Sequence, residues 1–354
     1  MQKIAIIGSG IVGLNTAYHL LKKGYKTDIF SVDKRQVDYQ PTSNAAIVVS
    51  IIKGLNVARS AFFQEKIDGH FELAQLAEEL KLKINFGAQE YFFSNDDEAR
   101  IKKRVFKKEF YGALNMELKY GPNEATIYRA PTFGSFIYHD DYFVDSQILL
   151  QKLKDSCISL GADFCEDKIE NIDIYKQKEL KFKLKTRNNS YGFNRVVVAA
   201  GEYTEGLLKE FNYDLPVSQK VAGHTLVFKG SEKQAPELIV DGKKTCVVSE
   251  GKIYYGSTSF SLTQDEKTNS LLIYESAESL KSEFYEKFRF SENKNPLLET
   301  RYGVRVKVRG NEPVIKCIYA ENEARLILAY GFYKNGFQLA ASSARKIEKM
   351  LREV

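Results

Sequence analysis

Apolar side chains run unbroken through residues 4–7, pass into a glycine-rich turn, and resume at three- and four-residue spacing until Gly24. The unbroken run reads as a strand buried on both faces, and the spaced run as a helix with one buried face. A second strand is expected at residues 26–30 and an amphipathic helix over residues 62–82, with Phe71, Leu73, Leu76 and Leu80 on its apolar side. Between residues 84 and 139 the pattern changes to short aromatic runs at 91–93, 125–129 and 134–139, as an inserted antiparallel sheet requires.

Asp145 is placed to cap a helix that closes near Gly161, followed by a strand at 162–165 and a hairpin from 169–174 and 180–186. Residues 195–201 form another doubly buried strand and end in Ala199, Ala200 and Gly201, small residues suited to a ligand crossing the sheet end. Antiparallel strands are expected at 225–228, 245–248 and 252–258, then a helix at 273–288. The segment 302–307 returns to the style of the first part, before a strand at 326–330 and a loop, 331–337, that opens the last helix. The chain shows no internal repeat and no low-complexity linker.

The opening turn, Gly8-Ser-Gly10-Ile-Val-Gly13, has the spacing of a dinucleotide-binding fingerprint and the strand-before, helix-after context that gives it meaning. Gly8 permits the turn, Gly10 admits a pyrophosphate close to the backbone, and Gly13 lets the helix lie near the sheet. Phosphate at the helix N-terminus meets unpaired N–H groups and the positive end of the macrodipole. An acidic residue is expected where the second strand ends, to hold ribose hydroxyls. Ser31 stands there instead, with Val32 and Asp33 following and Lys34 and Arg35 leaving a 2′-phosphate open. The run Ser43-Asn44-Ala45-Ala46 either wraps closely around a cofactor or feeds a buried strand.

The 354 residues suffice for two domains, and a 44% hydrophobic, 28% charged composition is that of a soluble globular protein. A net charge of +6 favours anionic ligands without requiring nucleic acid. Cys157, Cys165, Cys246 and Cys317 have neither disulfide-framework nor zinc-site spacing. With no apolar run of membrane-spanning length and no leader before the first strand, a cytoplasmic location is expected. The basic run 100–108 reads as a solvated helix face, and His139-Asp140-Asp141 as a turn with solvated carboxylates rather than a metal site. No metal is expected.

The fingerprint, Val-Val-Val-Ala-Ala-Gly201, Gly303-Val-Arg305 before Asn311-Glu-Pro313, and Gly331-Phe-Tyr-Lys-Asn-Gly336 together resemble the FAD-dependent D-amino acid oxidase superfamily. Glycine oxidase-like and sarcosine oxidase-like members are the most similar in these motifs. The resemblance implies an α/β fold, with a Rossmann-type FAD-binding domain (1–83, 140–215 and 300–354) interleaved with an α+β substrate domain on an antiparallel sheet (84–139 and 216–299). It places noncovalent FAD against Gly8, Gly10, Ile11, Val12, Gly13, Ser31, Val32, Asp33, Ser43, Asn44, Ala45, Ile169, Ala199, Ala200 and Gly201. Arg305, Tyr333, Lys334, Asn335, Gly336 and Phe337 would complete the cofactor site, with the last helix aimed at flavin N1 and its C2 carbonyl.

The same resemblance makes Arg305 the clamp on a substrate carboxylate and Lys334 a second cationic candidate, while Phe332 replaces a histidine common in relatives. A sheet-edge ion pair and a solvated loop lysine are the alternatives for the two cations. Tyr254 and Tyr255 face either the substrate or the core. The implied activity is oxidation of the C–N bond of a small amino acid or N-substituted glycine, by hydride transfer to flavin N5. Alternatives are an oxidase acting on the carboxymethylaminomethyl group of a tRNA wobble uridine, a hydroxy-acid oxidase, and a flavin-retaining subunit without catalysis. The corresponding partners are a small-molecule amine or amino acid, or tRNA; the oligomeric state is left open.

Overall fold

The computed structural model describes residues 3–32, 46–50, 63–105, 115–122, 127–175, 180–209, 211, 213–310 and 312–353. The chain begins β1 (Ile4–Ile7), α1 (Ile11–Lys22), β2 (Thr27–Phe30), β3 (Ala46–Val49), α2 (Phe63–Glu79), β4 (Asn85–Phe92), α3 (Asn95–Val105), β5 (Met116–Tyr120) and β6 (Gly134–Asp145). It continues with α4 (Ser146–Ser159), β7 (Asp163–Cys165), β8 (Asn171–Ile174), β9 (Phe182–Lys185), β10 (Ser190–Phe193), β11 (Arg195–Val198) and α5 (Thr204–Leu207). Then follow β12 (Ser218–Lys229), β13 (Glu237–Asp241), β14 (Lys244–Ser249), β15 (Lys252–Gly256), β16 (Phe260–Ser261) and α6 (Glu266–Lys287). The last elements are β17 (Leu297–Val308), β18 (Val314–Glu321), β19 (Ala324–Tyr330) and α7 (Gly336–Arg352).

Six strands form a sheet in the order β18-β19-β11-β1-β2-β7, parallel except for the antiparallel edge strand β18. Alternate residues of its strands feed two cores. Ile4, Ile6, Ile29, Val197 and Ile327 pack with α1, α4 and α7, whereas Ala5, Ile7, Phe30, Val198 and Leu328 pack with the three-stranded sheet β8–β10. Burial on both faces is the reason β1 and β11 have no polar alternation in sequence. The α4 helix begins where the Asp145 carboxylate accepts the N–H groups of Gln147 (2.8 Å) and Ile148 (3.3 Å).

The second large sheet has ten strands, in the order β16-β12-β15-β14-β13-β4-β6-β3, with β17 beside β12 and β5 beside β6. On one side α6 stacks Phe284 on Phe228, ring centroids 3.9 Å apart, and continues the aromatic layer through Phe288 and Phe290.

Several expectations need correction. Residues 302–307 lie within the twelve-residue strand β17, which runs antiparallel to β12. The helix expected from residue 273 starts at Glu266, capped by Asp265, because its first turns are polar and solvent-facing and so carry no apolar period. Of the strand expected at 125–129, Tyr128 makes a single bridge to Phe288, and residues 125 and 126 lie outside the described residues. His139, Asp140 and Asp141 are in β6, where Asp141 is buried, so they form no solvated turn.

Candidate functional site

The turn between β1 and α1 is shaped by steric necessity. Gly8 has φ +112°, and a Cβ there would stand 2.3 Å from the Ala199 carbonyl oxygen. A Cβ on Gly13 would stand 1.9 Å from the Gly8 carbonyl oxygen, so only glycine lets α1 seat against the turn. Gly10 occupies the N-cap in extended conformation, with no side chain capping the helix and no acid in its first turn. The N–H groups at this end therefore have no side-chain cap, and the macrodipole favours an anion there.

Ser31, 7% exposed, ends β2 beside this turn, and its hydroxyl shares a hydrogen bond with that of Ser9. Its N–H donates to the Cys165 carbonyl at 2.9 Å, while Val32 is half-buried. A cleft of about 650 Å³ lined by Cys165, Glu166, Lys168, Arg187 and Tyr191 opens at the end of the neighbouring strand β7. Ile169 lies between that cleft and β8, with its own side chain in the core. Asp33, Ser43, Asn44 and Ala45 lie outside the described residues.

Two distant segments close on the turn. Ala199 donates its N–H to the Ile7 carbonyl at 2.8 Å, and Ala200 and Gly201 then turn away from the sheet, Gly201 with φ +59°. From the other end of the chain, the 331–337 loop carries Gly331 (φ +79°) against Val308 and buries Asn335, which N-caps α7 without a side-chain hydrogen bond. A Cβ on Gly336 would touch Ile11 Cγ2 at 3.5 Å, and Phe337 packs against the core beneath α1. Two helix N-termini, neither capped by a side chain, thus stand side by side. The close backbone approach at Gly8 and Gly13 and the two helix ends without side-chain caps have the chemistry that the diphosphate of a flavin dinucleotide requires.

The 331–337 loop is also fastened to β17, where Tyr333 donates its N–H to the Val306 carbonyl at 3.1 Å and Phe332 bridges Lys307. This brings Arg305, Lys307, Tyr333 and Lys334 together. The centroid of the Tyr333 ring is 5.9 Å from Arg305 Cζ, 5.7 Å from Lys307 Nζ and 5.5 Å from Lys334 Nζ. Arg305 Nη2 donates to the Thr258 carbonyl at 3.3 Å, and its head occupies space that exists because residue 223 is glycine. A Cβ there would be 2.2 Å from Nη2.

Burial lowers the pKa of Arg305 from its ordinary value, but guanidinium remains charged. Burial raises the Tyr333 phenol; its hydrogen bond with Ser259 (3.3 Å) and the charges of Lys334, Arg305 and Lys307 outweigh that and leave it below its usual value. The Lys334 residue is exposed at the edge of the group, yet desolvation of its ammonium and the Arg305 charge lower its pKa.

The sequence singled out Arg305, Tyr333 and Lys334 but not Lys307, Gly223, Thr258 or Ser259. Strand alternation from Arg305 was the available signal for Lys307, since residues two apart share a face. The others are brought in by pairing of β12 with β17 and by the chain after β15, which no local pattern shows. Tyr254 and Tyr255 are core residues, with hydroxyls donating to Asp145 (2.7 Å) and to Glu283 (2.9 Å) and Asp241 (3.1 Å) respectively. Residues 100–105 of the basic run are part of α3, where Arg100 pairs with Asp97 and Lys102 with Glu98, and residues 106–108 lie outside the described residues. Among the described residues no helix is long and apolar enough to cross a membrane.

The fold is shared with solved oxidases. Glycine oxidase from Bacillus cereus ATCC 14579 superposes with a TM-score of 0.79 at 19% identity, over 99% of this chain and 95% of the other. Glycine oxidase from Geobacillus kaustophilus gives 0.78 at 16% identity, again over 99% and 95%. L-alpha-glycerophosphate oxidase from Mycoplasma pneumoniae, a structure with FAD bound, gives 0.75 at 16% identity over 100% and 96%. By sequence, no curated protein matches. The family model for FAD-dependent oxidoreductases of the DAO type matches residues 3–350, and with the glycine cradle, the paired helix N-termini and the mixed α/β fold in place, the chain belongs to this FAD-dependent oxidoreductase family.

Proposed function

We propose that the protein oxidises the C–N bond of a small amino acid or N-substituted glycine, with noncovalently bound FAD and in the cytoplasm. The observation that carries this is the placement of Arg305. Its guanidinium is held over Gly223 by the Thr258 carbonyl and stands beside the loop that joins β19 to the N-terminus of α7. A planar fork fixed in that way takes a carboxylate through two parallel hydrogen bonds and so fixes the direction of the α-carbon.

FAD, when bound, accepts the two electrons released as the substrate's C–N bond becomes an imine, which water then hydrolyses. Gly8, Gly10 and Gly13 would seat its diphosphate, and Ser31 its ribose. The cleft beside β7, near Ile169, would take the adenine end, and Asn335, Gly336 and Phe337 the ring end. Arg305 holds the carboxylate, and its charge with those of Lys307 and Lys334 disfavours a further cation, so a substrate amine binds there in its neutral form, which has the lone pair an imine requires. Tyr333 forms a wall of the same space, within 6 Å of all three cations. A functional division into nucleotide-holding and substrate-holding parts, with Arg305 at their join, follows from this assignment.

The test is anaerobic mixing of the holoenzyme with a panel of amino acids, secondary amines and hydroxy acids while flavin absorbance is followed. Bleaching by amines with an α-carboxylate is expected. Bleaching by hydroxy acids alone, or by no compound, would overturn the proposal.

A further inference from the structure

Three cations share one aromatic wall, and a single carboxylate needs only one of them. Arg305, Lys307 and Lys334 each approach the Tyr333 ring within 6 Å of its centroid, and among the described residues none of the three has a carboxylate partner. Elsewhere the chain pairs its lysines freely, as in Lys287 with Asp241 and Glu283, or Lys346 with Glu65. A cluster of like charges with no counter-charge of its own costs free energy through mutual repulsion, and an anionic ligand relieves it.

Lys307 is held in this cluster by two features of the backbone. It lies two residues beyond Arg305 on the same face of β17, and its bridge to Phe332 ties the strand to the loop bearing Tyr333 and Lys334. Its backbone is thus held by the same strand that carries Arg305 and by the loop that carries Tyr333 and Lys334. The phenol of Tyr333 is raised by burial but drawn below its usual pKa by its hydrogen bond with Ser259 and by the charges of Lys334, Arg305 and Lys307.

We propose that the substrate is dianionic: Arg305 takes the α-carboxylate, while Lys307 and Lys334 take a second anionic group on the side chain or on the nitrogen substituent. This rests on the amine-oxidising reading above and narrows it. A carboxylate or a phosphate has the required chemistry, and ammonium point charges accept either. Neutral amino acids of similar size would reach Arg305 but leave the two lysines uncompensated.

The holoenzyme is assayed with alanine, aspartate, iminodiacetate and O-phosphoserine. At low ionic strength kcat/KM is expected to be at least tenfold higher for one or more of the dianions than for alanine, and the advantage is expected to shrink as salt is raised. The second carboxylates of aspartate and iminodiacetate and the phosphate of O-phosphoserine then identify which anion is preferred. Lys307→Ala is expected to cut the dianion-to-alanine ratio about tenfold through KM, and Lys307→Arg to restore much of it. Independently of turnover, succinate should perturb the flavin spectrum of the wild-type holoenzyme at lower concentration than butyrate. Turnover of alanine with no gain from a second anion overturns this inference and leaves the amine-oxidising reading intact. Flavin that no amine of either class reduces overturns both, and a Lys307→Ala variant that loses FAD affinity without any change in the ratio assigns the lysine to the cofactor instead.

Discussion

Gly336 lies against Ile11, with van der Waals space of only 3.5 Å between the isoleucine Cγ2 and the position a Cβ would take. This contact joins the N-termini of the first and last helices, and through it the fingerprint turn meets the loop that carries Tyr333 and Lys334. The glycine turn and the cation cluster are therefore one structural unit, and changes to either should be felt in both.

Gly13→Ala and Gly24→Ala separate close approach from backbone conformation. At Gly13 the added methyl would sit 1.9 Å from the Gly8 carbonyl oxygen, so α1 must shift. Loss of most bound FAD and a destabilisation of about 2 kcal/mol or more are expected. Gly24 has φ +83° with nothing within 4 Å, so its variant should lose only about 1 kcal/mol and keep its flavin. Thermal unfolding and the flavin-to-protein absorbance ratio check both.

Arg305→Ala should lower kcat/KM for carboxylate-bearing substrates roughly 100-fold, as expected when a charged hydrogen-bonding pair is removed. Arg305→Lys should recover little, because an ammonium cannot form the parallel pair of bonds. Gly223→Ala offers a check from outside the cation cluster. Its methyl would lie 2.2 Å from Arg305 Nη2 and 2.3 Å from the Thr258 carbonyl oxygen that holds it, displacing both while leaving the charge, and steady-state kinetics should show KM rising with bound FAD retained.

Ser31→Ala removes the hydroxyl that bonds Ser9 beside the glycine turn. FAD should bind about 3- to 10-fold more weakly, the loss of one neutral hydrogen bond, with the fold unaltered. Titration of the apoprotein with FAD measures it, and an unchanged affinity would remove Ser31 from the ribose site.

Burial raises the Glu237 carboxyl to about 7, against a smaller lowering by Tyr91, whose hydroxyl donates to it at 3.4 Å. The folded protein thus holds a proton that the unfolded chain, with an ordinary value of 4.5, releases earlier. The sign follows: this contribution is fully present below pH about 4.5 and is lost as pH rises towards 7. Glu237→Gln, which never ionises, should match the wild type near pH 4.5 and exceed it by about 3 kcal/mol at pH 8. Urea unfolding at the two pH values provides the comparison, and equal differences at both would show that Glu237 titrates normally.

What could be read from the chain alone was whatever its local chemistry dictates. β1, the glycine turn and α1 were legible because a doubly buried strand, a required close approach and a helical period agree over twenty consecutive residues. Asp145 announced α4 because an N-cap is a local hydrogen bond. The role proposed for Arg305 came from family resemblance, whereas the space that receives it depends on Gly223, eighty-two positions earlier, through a strand pairing without local signature. β13 carries a short apolar run that composition alone does not distinguish from its surroundings. Lys307 went unnoticed because a lysine on a strand is ordinarily a solvated surface residue, and only the return of the chain at Phe332 gives it another task.

The order of the parallel sheet also constrains how the molecule can be made. β1 borders β11, which borders β19, so β1 waits for neighbours drawn from residues 195–198 and 324–330, made long after it. Until α7 is synthesised, much of the apolar surface of α1 and α2 stays without its cover. Nothing local to the β1–α1 turn can therefore complete the space in front of it, which waits for residues 331–337.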